Sequence, residues 1–499
     1  MSPRKSRSRS SARRLTAFLP TSREEMEARG WDEIDVLLIN GDAYVDHPAF
    51  GAALIGRHLE AQGLRVGMIA QPRWSEPDDL LRLGRPRLMV GVTAGNLDSM
   101  LNRLTAQNKI RSEDRYSPGG RPNQRPNRAS IVYANLARRA FGGVPIVIGG
   151  IEASLRRVAH YDYWGDKVRR SVLLDAKADL LIFGMAERAV AEVADRLRQG
   201  EPVAEIRDVR GTAHVLRKGS WEQLEPSAHP RDGRVVLLPS YAEVSSDPRA
   251  FSRMSRLLAK EANPHNARPL LQPHGDEAVY LNPPALPLST EELDQLYQLP
   301  FARAPHWSYR EPVPAWDTVR TSVVTSRGCF GGCAFCSLSE HEGRQIQSRS
   351  TASVIREVSE LARTADFGGT ISDLGAPTAN MYRMGCSDPV LQQACRRLSC
   401  LHPRICPHLR TDHGPLLRLL GKVRRTQGVK RAFIASGIRH DLAERSPAFV
   451  RALAEHHTGG QLSVAPEHSS PTVLAKMRKP PIDCYERFAR AFREASAAA

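Results

Sequence analysis

Residues 326–338 read SRGCFGGCAFCSL, and the spacing of Cys329, Cys333 and Cys336 in this stretch, C-x3-C-x2-C, decides how the rest of the chain is read. Three thiols on one tight loop are soft ligands of the kind that iron–sulfur clusters use. Gly328, Gly331 and Gly332 let the backbone wrap closely around such a cluster, with amide groups available to its sulfides. A 4Fe–4S cluster held by three cysteines keeps one iron without a protein ligand, which is a site for chemistry. The competing readings are a zinc site completed by His341 or a distant cysteine, and a redox dithiol built on Cys333 and Cys336. The aromatic Phe335 before the last cysteine, and the short strand expected just before the loop, favour the cluster.

Working outward, residues 321–325 read as that strand, and a regular alternation follows. A helix is expected over 352–363, a strand over 370–374, a helix over 388–398 and a strand over 431–436. A helix over 447–456, a strand over 461–465 and two last helical stretches complete the count at four strand–helix units. This rhythm suits part of a parallel (β/α) barrel, whose reactive ends are the loops after its strands.

Upstream, the apolar runs 34–40 (IDVLLIN), 64–70 (LRVGMIA), 87–93 (RLMVGVT), 144–149 (VPIVIG) and 179–184 (DLLIFG) alternate with helical stretches at 50–61 and 186–198. Such alternation implies a parallel sheet with helices on both faces, a doubly wound Rossmann-like domain. The polar, proline- and glycine-rich stretch 101–127 reads as an elaborated loop. From 208 to 315 prolines accumulate and periodicity weakens, so an extended connector with small elements is expected, with 234–238 as a candidate strand. The expected organisation is therefore a disordered basic tail at 1–29, a Rossmann-like domain at 30–207, a connector at 208–315 and a barrel region at 316–499.

Composition narrows the class. The 499 residues are 41% hydrophobic and 25% charged, enough for sizeable cores. Neither a membrane-spanning apolar run of about 18 to 20 residues nor the apolar block of a secretory signal is visible, so a cytoplasmic protein is expected. The net charge of +17 concentrates in the tail, in 103–128 and in 396–431, which makes nucleic acid a candidate partner. All eight cysteines lie after residue 328, which excludes a secreted disulfide framework and points to metal or redox chemistry. Besides the loop, Cys386, Cys395, Cys400 and Cys406 crowd into about twenty residues, flanked by His402 and His408. Their spacing fits no standard metal pattern, and buried thiols in a helical excursion are the expectation, with a second metal site as the alternative.

The cysteine loop resembles that of the radical S-adenosylmethionine (SAM) superfamily, and the wider chain resembles its YgiQ-type proteins. The stretches GVTAGNLDSM (91–100), VPIVIGGIEASLRRVAHYDYW (144–164), KVRRSVLLDAKADLL (167–181), ISDLGAPTAN (371–380) and CRRLSCLHPRICPHL (395–409) carry that likeness. The resemblance implies an α/β protein: an N-terminal, cobalamin-binding-like Rossmann domain followed by an incomplete radical SAM (β/α) barrel. It implies a 4Fe–4S cluster on Cys329, Cys333 and Cys336, and a SAM molecule whose amino and carboxylate groups chelate the open iron. One electron would then release a 5'-deoxyadenosyl radical, with an unidentified electron donor as partner. It also implies SAM contacts from Ser372, Asp373 and Gly375 after the second barrel strand, from Ser436 and Arg439 after the third, and from Glu467 after the fourth. Ala376 stands where superfamily members typically have the second of two glycines. Cobalamin is the less favoured cofactor, because the pattern D-x-H-x-x-G is absent and Asp46, His47 and Gly51 are wrongly spaced for it. A non-catalytic, metal-containing nucleic-acid-associated protein is the alternative function. Family members continue beyond this chain's last residue, so a truncated barrel of weak or no activity is a further expectation.

Overall fold

The computed structural model describes residues 15–224 and 234–499, which fall into two compact units. Unit 1 comprises the chain to Leu286 together with Leu299–Asp317, and unit 2 comprises Pro287–Gln298 and Thr318–Ala499.

Unit 1 is built on a nine-stranded sheet of β1 (Val36–Asn40), β2 (Val66–Ala70), β3 (Met89–Thr93), β4 (Ile146–Gly149), β5 (Leu180–Ile182), β6 (Thr212–Arg217), β7 (Val236–Leu237), β8 (Leu270–His274) and β9 (Glu277–Leu281). Its order is β7-β8-β9-β6-β5-β4-β3-β1-β2. The five strands β2-β1-β3-β4-β5 are mutually parallel, as in a doubly wound fold. Every residue of β1 is buried, as expected of a parallel strand covered on both faces. All five strands fall where their apolar runs lie, because four or five consecutive Val, Ile and Leu residues can only be satisfied between two layers.

Two expectations are corrected here. Residues 208–286 supply four strands, β6 to β9, which join antiparallel to β5 or to one another except for the parallel pair β7–β8. Prolines at the strand flanks masked this extension, since an edge tolerates a missing N–H that a central strand does not. The expected tail also ends earlier: residues 1–14 lie outside the described residues, whereas Phe18, Leu19 and Met26 are buried in unit 1. Ser22 starts the short helix Arg23–Glu27 by accepting a hydrogen bond from the Glu25 amide.

In unit 2, β10 (Ser322–Val324), β13 (Thr370–Ile371), β14 (Asp373–Gly375) and β17 (Arg431–Ala432) form the parallel framework, while the short antiparallel pairs β11 (Ser326–Arg327) with β12 (Gln347–Ser348), and β15 (Gly385–Cys386) with β16 (Leu409–Arg410), pin the loops. Helices Thr351–Ala362, Gly414–Arg424 and Ile482–Ala498 cover them around a core of Val354, Ile371, Leu374, Leu419, Ile434, Phe449 and Phe488. The expected fourth strand is reduced to one bridge, Val464 to parallel Ile438, and the expected helix 388–398 shortens to Pro389–Ala394. The helix Gly414–Arg424 was not foreseen, although Pro415 in its first turn and the apolar face Leu416, Leu419, Leu420, Val423 mark it.

Candidate functional site

The cysteine loop leaves β11 through Gly328, whose positive φ brings it so close to the chain that a Cβ would lie 2.2 Å from the Gln345 carbonyl oxygen. The Cys329 amide donates to Gly343 O at 3.1 Å and the Cys336 amide to Cys333 O at 3.2 Å, which closes the turn. At its apex a Cβ on Gly331 would stand 3.3 Å from Cys329 Sγ, 3.9 Å from Cys333 Sγ and 3.4 Å from an Arg439 guanidinium nitrogen. Glycine is therefore what leaves the space between two sulfurs and a cation open. Burial pushes the Cys336 thiol up, and the neighbouring Cys329 and Cys333 add to the rise. Among the described residues no three His, Cys, Asp or Glu side chains stand in a closed metal-ligand arrangement. The donor set and the cradle at Gly331 nevertheless fit a thiolate-held cluster: three half-buried sulfurs on one loop with a cation beside them.

Arg439 was expected as a SAM contact, and the structure aims it at this loop. Its guanidinium donates to Cys333 Sγ at 3.5 Å and to both carboxylate oxygens of Asp441 at 2.9 and 2.7 Å. Burial works against its charge, but Asp441 and the two sulfurs outweigh that and hold it cationic. Asn380 clamps its backbone, accepting from the Arg439 amide at 2.9 Å and donating to its carbonyl at 3.0 Å, and also contacts His413 Nε2 at 3.2 Å. Thr378 Oγ1 lies 3.4 Å from Cys329 Sγ. Thr378, Asn380 and Asp441 were not singled out from sequence, although ISDLGAPTAN contains the first two.

Asp373, Gly375 and Ser436 come together across β14 and the turn after β17. The Asp373 carboxylate accepts from the Ala435 amide at 2.8 Å, from the Ser436 amide at 3.1 Å and from the Ser436 hydroxyl. A Cβ on Gly375 would strike that pair, at 2.3 Å from Asp373 and 2.7 Å from Ser436. Ser372 donates its amide to Thr321 O at 3.1 Å, while its buried hydroxyl has no partner. Glu467 adopts a left-handed backbone and pairs with Lys479 at 3.5 Å; among the described residues no hydrogen bond joins it to Asp373, Ser436 or Arg439.

In unit 1 the strand order reverses between β1 and β3, where doubly wound sheets usually bind ligands. Here the chain fills that crevice itself. Arg125, from the long polar loop, is 1% exposed and pairs with Asp42 just after β1 and with Asp114 at 2.9 Å. Asp42 also accepts from the Asn96 amide at 2.7 Å, and a Cβ on Gly41 would lie 2.2 Å from Ala94 O. A buried ion-pair network at the strand ends does not fit a corrin face, so no step is assigned to cobalamin. Much of the basic cluster 103–128 is likewise engaged internally: Arg103 binds Asn123 and Asn127, and Arg128 binds Asp162. In the cluster 396–431, Arg404, Arg410, Arg418, Lys422 and Arg425 are exposed.

Comparison with known proteins agrees with this geometry. Residues 18–322 match the Radical SAM N-terminal family and residues 323–498 the Radical SAM superfamily, so the chain is a radical SAM enzyme, a class that implies a 4Fe–4S cluster and SAM. A UPF0313 protein of Rhodopseudomonas palustris is 53% identical over 509 residues, covering 99% of this chain and 75% of that one. YgiQ of Escherichia coli K12, also a UPF0313 protein, is 48% identical over 522 residues, covering 95% and 71%. The chain belongs to the UPF0313 family. In fold it is similar to the solved radical SAM methyltransferase TsrM of Kitasatospora setae, bound to tryptophan and a SAM analogue. That likeness has a TM-score of 0.50 at 15% identity, over 92% of this chain and 66% of the other. Among the described residues no helix is long and apolar enough to cross a membrane.

Proposed function

We propose that Cys329, Cys333 and Cys336 hold a 4Fe–4S cluster, with SAM received by Ser372, Asp373, Gly375, Ser436, Arg439 and Glu467. A cluster there supplies the electron that cleaves a carbon–sulfur bond of SAM, giving methionine and a 5'-deoxyadenosyl radical for hydrogen abstraction. The observation that carries this reading is the meeting of Cys329 and Cys333 at Gly331 against the Arg439 guanidinium.

The chain's own residues prepare the site. Arg439 offsets thiolate charge and is a positioning residue for the loop, held rigid by Asn380 and Asp441. Asp373 fixes the turn at Ala435 and Ser436, so that backbone groups after two adjacent strands face one space. Phe330, Met381, Met384 and Leu442 pack as an apolar cluster beside Cys329 and exclude water from that side. The electron comes from a separate reduced donor, and the protein works in the cytoplasm.

The exposed basic side chains from Arg404 to Arg425 favour a second reading, a metal-containing protein that binds nucleic acid without catalysis. Anaerobic reconstitution, EPR of the reduced chain with and without SAM, and an assay for 5'-deoxyadenosine separate the two. A spectrum perturbed by SAM, with cleavage abolished by Cys329→Ala, Cys333→Ala and Cys336→Ala together, supports the enzyme. A zinc-only chain with salt-dependent RNA binding overturns it.

A further inference from the structure

Residues 385–410 form an excursion that regular structure barely supports. The β15–β16 ladder sets Cys386 opposite Leu409 and closes its base, and one six-residue helix, Pro389–Ala394, lies within it. Its only buried apolar side chains are Leu401 and Leu409, which lean on Phe330, Met381 and Met384, while Val390 is 77% exposed. So small a core cannot by itself fix about 26 residues, and segments of this kind are usually tied by cross-links or metals. None of its cysteines is in a disulfide.

Yet the thiols are gathered. The Cys406 amide donates to Cys400 O at 2.8 Å, placing these two residues side by side. The Leu409 amide donates to Cys406 O at 2.9 Å, and Leu409 is the ladder partner of Cys386. Cys395 caps the short helix. Burial pushes the Cys400 thiol up to about 11, and Cys395, Cys406 and Cys386 all add to the rise, so all three lie within electrostatic reach of it. Arg397 opposes that rise, and the buried part of Arg344, which donates to Arg397 O at 3.2 Å, also feels Cys400 and Cys395. Four thiolates flanked by cations suit a soft metal better than four neutral thiols suit water.

We infer that Cys386, Cys395, Cys400 and Cys406 hold a second metal centre, a closed tetrathiolate site distinct from the three-cysteine loop. Its ligands are all protein side chains, so it has no open position and its role is structural. Binding deprotonates the four thiols and releases their protons, with no change of oxidation state when the metal is Zn2+. The excursion is hydrogen-bonded to the cysteine loop: Ser399 Oγ donates to Gly331 O at 2.6 Å and the Cys400 amide to Phe330 O at 3.1 Å. The second centre therefore braces the floor of the first. The inference does not depend on the first site binding a cluster.

The full chain carrying Cys329→Ala, Cys333→Ala and Cys336→Ala tests it, treated with Zn2+ alone or reconstituted with ferrous iron and sulfide. The expected result is about one zinc per chain, or iron and sulfide in cluster proportion, lost on adding Cys400→Ser and Cys406→Ser. Holding neither metal after both treatments, or holding it unchanged by the two serines, overturns the inference. Because the variants can misfold, the unaltered chain is also alkylated with and without Zn2+ and read peptide by peptide. Selective protection of the four cysteines relative to Cys484 is expected, and equal labelling overturns the proposal. Loss of SAM cleavage with this metal retained sinks the proposed enzyme and spares the second centre.

Discussion

Gly332→Ala tests whether the cysteine loop depends on the excursion beneath it. Gly332 has φ +62°, a left-handed backbone that costs an alanine about 1–2 kcal/mol. Its Cβ would also stand 2.1 Å from the Leu398 carbonyl oxygen, closer than the 3.0 Å that real contacts respect, so loop and excursion must part by about 1 Å. That movement breaks the bonds from Ser399 Oγ to Gly331 O and from the Cys400 amide to Phe330 O, worth about 1 kcal/mol each. The sum, about 3–4 kcal/mol, falls on the loop, which must be in place to hold a cluster. At about 1.4 kcal/mol per tenfold, metal retention weakens by at least about a hundredfold. The assay is iron and sulfide content after anaerobic reconstitution, followed by the rate of iron release to a chelator. Gly368→Ala is the control, since its Cβ meets open space and its φ is not positive. If Gly332→Ala keeps iron as well as Gly368→Ala does, the coupling of loop to excursion is refuted.

Other consequences follow from buried charge. His413, His440 and His457 are buried in unit 2, and burial lowers each to about 4 from an unfolded value near 6.5. The unfolded chain therefore binds more protons between these values. Stability is full above about pH 6.5 and falls toward pH 4 by up to about 1.4 kcal/mol per pH unit per histidine. A urea midpoint that stays flat from pH 7 to pH 5 contradicts this. Arg349→Met strands the buried Glu357 carboxylate and removes a guanidinium 4.4 Å above the Tyr297 ring, so a loss of about 3–5 kcal/mol in denaturant unfolding is expected, partly restored by adding Glu357→Leu. In unit 1, Arg125→Met leaves Asp42 and Asp114 facing each other in the filled crevice and costs a similar amount, about 3–5 kcal/mol, read from thermal unfolding.

What was legible in the sequence is what local chemistry dictates. The runs IDVLLIN and LRMVGVT-like stretches had to be interior parallel strands because no exposed position tolerates so many branched residues in succession, and the cysteine spacing announced its own chemistry. The strands β6 to β9 were hidden because proline-rich flanks mimic a connector and their partners lie far along the chain. Asp373 and Ser436 were legible as neighbours of a site, whereas the part played by Asn380 in clamping Arg439 was not, since those residues lie 59 apart in sequence.

The sequence by itself determined the class of protein, the parallel strands and the three thiols on a glycine-lined loop, because backbone preference and ligand identity reside within short segments. Only the tertiary structure decided that Arg439 turns to a cysteine sulfur, that Arg125 fills the crevice of the first unit, and that four scattered cysteines meet beneath the loop. Each of these depends on which distant segments share a buried space, and there the cost of leaving a charge or a polar group without a partner selects the arrangement.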